Sequence, residues 1–263
     1  MRRSRAVAAV CLLVALAGCG GLLDDRATPE PVELGNASVP AGITADGVDA
    51  STLAANHDAV LGSTSYTVRV SEVVTSNGTV LRNATRDRKV AAGADRYLFR
   101  RVQRTNGFPT SSLAPVLTYW YDGTAVIQRI GTGADARVDR FPTEPPGPLR
   151  DPTSHRGVAR IFGAFELRPN RTLGDGPVRL TAVRLVDPAV APTPSFVGPP
   201  RNASLTAVVD GQGYVRRYSY AYDAGASSVS GPVRVVRRVR FVAVGATTVE
   251  RPGWVDDTAG GGA

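Results

Sequence analysis

Two periods of apolar residues organise the chain after residue 48. Asp49 precedes Leu53, His57, Val60 and Leu61, which share one helical face and predict a short helix capped by Asp49 and ending at Leu61. His57 lies on the packing side of that helix without a matching partner, so it is expected to be a packed histidine. Beyond it the period drops to two. Tyr66, Val68 and Val70 share one parity, Asn77-Gly78 is a type I′ turn dipeptide, and Thr79 to Val90 supplies the returning strand. Tyr97 and Phe99 alternate with Arg96, Leu98 and Arg100. Val116 to Tyr121 then meets Asp122-Gly123 before Thr124 to Ile130, a second hairpin.

Pro142 to Pro152 interrupts this pattern, and Asp151-Pro152 places an N-cap before a proline at the first helical position. Val158, Ile161, Phe162 and Phe165 then fall at i, i+3, i+4 and i+7, which predicts an amphipathic helix over Asp151 to Glu166. Val178 to Asp187, Ala203 to Asp210, Tyr214 to Asp223 and Val233 to Val244 read as four more strands, with Pro188 to Arg201 as a loop. About nine strands in consecutive hairpins lack the crossovers that a parallel sheet requires. The expected fold is mainly β (α+β): a single curved antiparallel sheet, half-barrel-like, with two short helices, one packed on its apolar face.

Before residue 49 the pattern differs in kind. Arg2, Arg3 and Arg5 precede an apolar run from Ala6 to Gly18. A spanning helix needs about 20 apolar residues, so this run has the length of a secretory signal. It ends in Leu16-Ala17-Gly18-Cys19, which resembles the lipobox of prokaryotic lipoproteins. That resemblance implies cleavage before Cys19 and a lipid on its thiol. Cys11 would leave with the signal, so the mature chain has no disulfide available. Gly20 to Val48, rich in Asp, Pro and Gly, reads as a tether. The expected organisation is a signal peptide at 1–18, a lipidated N-terminus and flexible tether at 19–48, a β-rich domain at 49–254 and a disordered tail at 255–263. The protein is then held on the extracytoplasmic face of the cell membrane through the lipid on Cys19.

A chain of 263 residues that is 43% hydrophobic can bury a core, which excludes wholesale disorder. The net charge is +8, and Lys89 is the only lysine among 31 Lys and Arg. Residues 19–60 set Arg26 against seven acidic residues, whereas the rest of the mature chain holds 27 basic and 16 acidic residues. A cationic body thus follows an acidic tether. The order of lipobox, tether, short helix, Ser65-Tyr66-Thr67-Val68 strand, Asn77-Gly78 hairpin and Trp120-Tyr121-Asp122-Gly123-Thr124 hairpin resembles a group of lipoproteins of unknown function from halophilic archaea. More remotely, by topology, the architecture is similar to half-barrel lipoprotein carriers and mycobacterial lipid-transfer lipoproteins.

The chain has no Gly-x-Ser-x-Gly elbow, phosphate-binding glycine loop or His-Glu-x-x-His, and its two histidines, His57 and His155, leave few metal ligands. No enzymatic activity, cofactor, metal or nucleic-acid partner is expected, and the protein is expected to be a monomer. Two strands carry the candidate chemistry. Tyr214, Tyr218, Tyr220 and Tyr222 share one face with Arg216, a ladder that suits either the wall of an amphiphile cavity or ordinary cross-strand aromatic pairing. Phe162, from the helical stripe, joins the candidate lining. On Val233 to Val244, Arg237 intrudes on the parity of Val233, Val235, Val239 and Phe241. Either a bulge shifts the register there, or a guanidinium points into a cavity mouth where it holds an anionic head-group.

Arg234, Arg238 and Arg240 share the opposite parity and are candidates for contact with anionic lipid or a cell-surface polymer. Asn36, Asn77, Asn83, Asn170 and Asn202 begin glycosylation sequons. The function these features suggest is a lipid-anchored binding or interaction module for an amphiphilic ligand or envelope partner. The alternative is a purely structural envelope lipoprotein without a small-molecule ligand, and a third reading is an enzyme of unrecognised class.

Overall fold

The structure is a computed structural model that describes residues 39–106, 114–141, 150–170, 176–194, 196–226 and 231–260. The expected signal peptide, Cys19, Asn36 and the expected tether through residue 38 lie outside these residues. Helix α1 spans Ala50–Gly62. Asp49 caps it as the sequence predicts, its Oδ1 accepting from Ser51 N at 2.9 Å and Thr52 N at 3.1 Å. Its buried side carries Leu53, Ala54, His57 and Leu61.

Strands β1 (Tyr66–Ser76), β2 (Thr79–Val90), β3 (Tyr97–Thr105), β4 (Val116–Tyr121), β5 (Val126–Ile130) and β6 (Arg137–Phe141) form one meander. Helix α2 (His155–Gly163) separates them from β7 (Phe165–Pro169), β8 (Val178–Leu185), β9 (Arg201–Val209), β10 (Val215–Gly225) and β11 (Pro232–Val242). All eleven belong to one antiparallel sheet in the order β6-β5-β4-β3-β2-β1-β11-β10-β9-β8-β7. The sheet is curved and open. Its first and last strands pair at the centre, from Thr67↔Val242 to Thr75↔Arg234. The chain therefore travels from one edge to the other between β6 and β7, and this passage carries α2 across the concave face. The β1–β2 turn is the type I′ expected, with φ of 48° at Asn77 and 77° at Gly78.

Both helices pack on the concave face. Val158, Ile161 and Phe162 of α2 are at most 1% exposed, and Phe162 meets Tyr218 of β10 edge-on at 5.8 Å. Burial of each such side chain contributes about 1.5–3 kcal/mol. A smaller cluster lies on the other face, where Trp120, Ile127 and Val255 pack with Leu98, Val138 and Trp254.

Four expectations change. Two strands add to the nine: β6, which is largely exposed and carries no apolar alternation, and β7. The second helix is shorter than Asp151 to Glu166, because Phe165 and Glu166 belong to β7 and Asp151 lies in a turn before Ser154. Phe165 extends the helical stripe at i+7 and equally well starts a strand, so spacing alone misassigns it. The tether yields its last ten residues to the body: Ile43 pairs with Val48 and is 6% exposed. The tail likewise begins with a 3-10 helix over Gly253–Gly260, in which Val255 is 1% exposed.

Candidate functional site

Arg237 decides between the two readings of its strand. The pairing of β11 with β1 and with β10 runs without interruption through Glu72↔Arg237 and Tyr220↔Arg237. No bulge intervenes, so the guanidinium lies on the concave face with the valines of its own parity. Glu72 is its counterpart on β1, an acid on the parity of Tyr66, Val68 and Val70, and it is 3% exposed. Glu72 accepts from Arg82 Nη1 at 2.7 Å and lies 3.8 Å from Arg237 Nη1.

Strand β2 brings further cations to this face. Arg82, Arg86 and Arg88 share the parity of Ala84 and Val90, and Arg101 of β3 is the register partner of Arg86. Arg82 and Arg237 thus share the buried Glu72, with Arg86 near by, whereas Arg88 faces Asp151 and Arg101 pairs in register with Arg86. Burial lowers the pKa of Arg86, Arg88 and Arg101, yet arginine stays charged in proteins, so the excess is positive charge in a partly dry setting. The buried Nε atoms of Arg82, Arg101 and Arg237 lack hydrogen-bond partners.

Arg88 ties this cluster to the start of α2. It donates to the Asp151 carbonyl at 3.1 Å and to Ser154 Oγ at 2.7 Å. Ser154 sits in the left-handed region at φ 66° and does not cap the helix with its side chain. His57 braces the same turn from α1: its Nε2 donates to the Thr153 carbonyl at 2.8 Å while its Nδ1 accepts from Val215 N at 3.1 Å. Those two bonds fix the neutral tautomer. Burial pushes the His57 pKa down to about 4.

Between the cluster and α2 lies a cavity of about 220 Å³. One wall is apolar, from Val68, Val70, Phe99, Tyr218 and Val239; the other is Arg86, Arg88 and Arg237, with Asp151, Ser154 and Gly157 at the lip. A second cavity of about 150 Å³ shares Gly157, Tyr218 and Arg237 and adds Arg156, Arg160 and Tyr220. Of the residues chosen from sequence, Tyr218 and Arg237 therefore line both cavities and Tyr220 the smaller. Tyr222 and Phe162 line neither. Tyr220 and Tyr222 are 1% and 0% exposed and stack at 4.8 Å, and their buried hydroxyls have no partner. Desolvation raises both phenol pKa values. Tyr222 thus packs along its own strand against Tyr220, and Tyr218 faces the cavities. Arg216 leaves the ladder because a bulge between Val215 and Arg217 turns it outward and turns Val215 in.

Arg86, Arg88 and Glu72 were missed from sequence. Strand β2 is polar on both parities, which hides its buried face. Glu72 and Arg237 did leave a signal, as charges of opposite sign intruding on the apolar parities of two strands. On the outer face Arg234, Arg238 and Arg240 are exposed, and Arg234 Nη1 pairs with Asp223 Oδ1 at 2.8 Å. Asn77, Asn83, Asn170 and Asn202 are exposed. Among the described residues no three of His, Cys, Asp and Glu converge on a metal site, and no helix is long and apolar enough to cross a membrane.

No protein-family model matches the chain, and no curated protein does. Three solved structures align with most of its length. A LolA superfamily protein from Nitrosomonas europaea shares 9% identity over 79% of this chain and 97% of its own, with a TM-score of 0.26. LprF from Mycobacterium bovis shares 11% over 82% and 99%, with a TM-score of 0.40. A DUF1329 family protein from Desulfovibrio piger shares 10% over 80% and 97%, with a TM-score of 0.28.

Proposed function

We propose that this protein is a lipid-anchored envelope lipoprotein, related to the halophilic-archaeal group it resembles, whose concave face holds an amphiphile by its anionic head-group. One observation carries the reading: Arg86, Arg88 and Arg237 line a cavity whose opposite wall is apolar, and Arg237 shares its buried carboxylate, Glu72, with Arg82. An anion placed there offsets buried charge that the fold leaves uncompensated, and Arg86 and Arg237 offer planar forks for a carboxylate or phosphate. At about 220 Å³ the cavity is below the roughly 300–1,000 Å³ of drug-sized pockets, which suits a head-group and its first carbons. Lipidation of Cys19 would hold the protein at the membrane that supplies such molecules. The structural alternative draws support from the filled packing around Tyr220 and Tyr222.

Titration with two amphiphiles of equal chain length, dodecyl phosphate and a neutral dodecyl glycoside, separates these readings. The phosphate binds with at least tenfold higher affinity, and Arg237→Gln removes that preference without changing the weak binding of the glycoside. Equal affinities, or a preference that survives Arg237→Gln, refute the proposal.

A further inference from the structure

The outer face of the sheet lines up arginines that are far apart in sequence. Arg217 of β10 lies opposite Arg240 of β11, which lies opposite Arg69 of β1. Arg217 also shares Val208 of β9 as register partner with Arg179 of β8. The run ends at Asp87, the partner of Arg69 on β2. From β8 to β1 it covers four interstrand spacings, about 19 Å. All four arginines are exposed, and none forms an ion pair with a described carboxylate, unlike Arg234 with Asp223.

Two residues along the strands, Thr181, Thr206, Ser219, Arg238 and Ser71 form a parallel row. Two adjoining concavities of about 310 and 680 Å³ sit over these rows; Arg179, Arg217 and Arg240 line both, and among the described residues no Asp or Glu lines either. Like charges directly opposite one another on neighbouring strands destabilise a sheet. Arg217, Arg240 and Arg69 do so twice in succession, which a bound polyanion would relieve.

We propose that this trough binds an acidic polysaccharide. Arginine forks recognise the carboxylate, sulfate or phosphate groups of such a chain, and the hydroxyl row meets its neutral hydroxyls. A bilayer fits less well. Its flat surface does not enter a trough, and the exposed large apolar residues Val80, Phe141, Val183, Val186 and Val190 lie off both rows. Arg240 and Arg238, grouped with Arg234 by strand parity alone, thus belong to a surface whose other members come from β8, β10 and β1. The site stands apart from the concave cavity and does not depend on it.

The test uses the mature chain from residue 19 with Cys19→Ser, so that neither an acyl group nor the apolar 6–18 run inserts, against heparin, a polyuronate and phosphatidylglycerol vesicles at 0.1 M salt. The expected result is salt-sensitive binding to at least one polysaccharide that exceeds binding to the vesicles. Arg240→Gln loses about fivefold in affinity, and the Arg69, Arg217 and Arg240→Gln triple variant loses on the order of 100-fold. The triple variant melts at or above the wild-type temperature, since the like-charge contacts are gone; should it fail to fold, the single variant carries the test. Arg104→Gln, exposed but off both rows, leaves binding unchanged. Tighter binding to vesicles, or an equal loss in Arg104→Gln, overturns the proposal.

Discussion

Protonating His57 should loosen the floor of the concave cavity. The imidazole joins α1, the turn before α2 and the start of β10 through one donated and one accepted hydrogen bond. A proton added at Nδ1 faces the Val215 N–H, donor against donor, in a fully buried position. Desolvation is the largest cause of the depressed pKa, about 4 against an ordinary 6.5, and the nearby Asp58 and Asp151 only partly oppose it. The unfolded chain therefore binds a proton before the folded one does. Stability from this group is complete above pH 6.5 and is lost as pH falls towards 4. At 1.36 kcal/mol per unit the span amounts to about 3 kcal/mol. Urea denaturation at half-unit intervals from pH 7.5 to 4.5 measures it, with His57→Gln as the control that should flatten the slope. A wild-type stability constant between pH 6.5 and 4.5, or an equal slope in His57→Gln, refutes this account of the junction.

Glu72→Gln removes the buried carboxylate that Arg82 and Arg237 share and should cost about 3–5 kcal/mol; thermal melts should show that added phosphate restores more stability to this variant than to wild type. Phe162→Ala should cost about 3–5 kcal/mol, read by denaturant midpoint, because its ring is 1% exposed between α2 and Tyr218. Cys19→Ser should release the protein from the membrane or leave the precursor uncut, checked by fractionation and intact mass; unchanged retention and processing would exclude the lipid anchor.

Period-two alternation made most of the sheet legible, since β1, β3, β10 and β11 each bury one parity. Turn chemistry added the hairpins, as at Asn77-Gly78. Edge strands escaped because β6 buries so little that no apolar pattern is required of it. The 39–48 segment and the residues around Val255 escaped for a related reason: a single buried side chain creates no period. For the site, parity placed Arg237 correctly relative to its neighbours but could not say whether the register continued. The pairing with Glu72 answers that, and pairing is a long-range property of the fold. The outer arginine row was invisible for the same reason, since its members are opposed across five strands.

If the concave arginine cluster holds an anionic amphiphile as proposed, the molecule should leave the membrane with the protein. Native mass spectrometry of the protein extracted in a neutral detergent measures this. The expected result is a noncovalent adduct, beyond any lipid on Cys19, that carries an acidic head-group and disappears in the Arg86→Gln, Arg237→Gln double variant. A bare protein mass, or an adduct that persists in the double variant, would rule the ligand out.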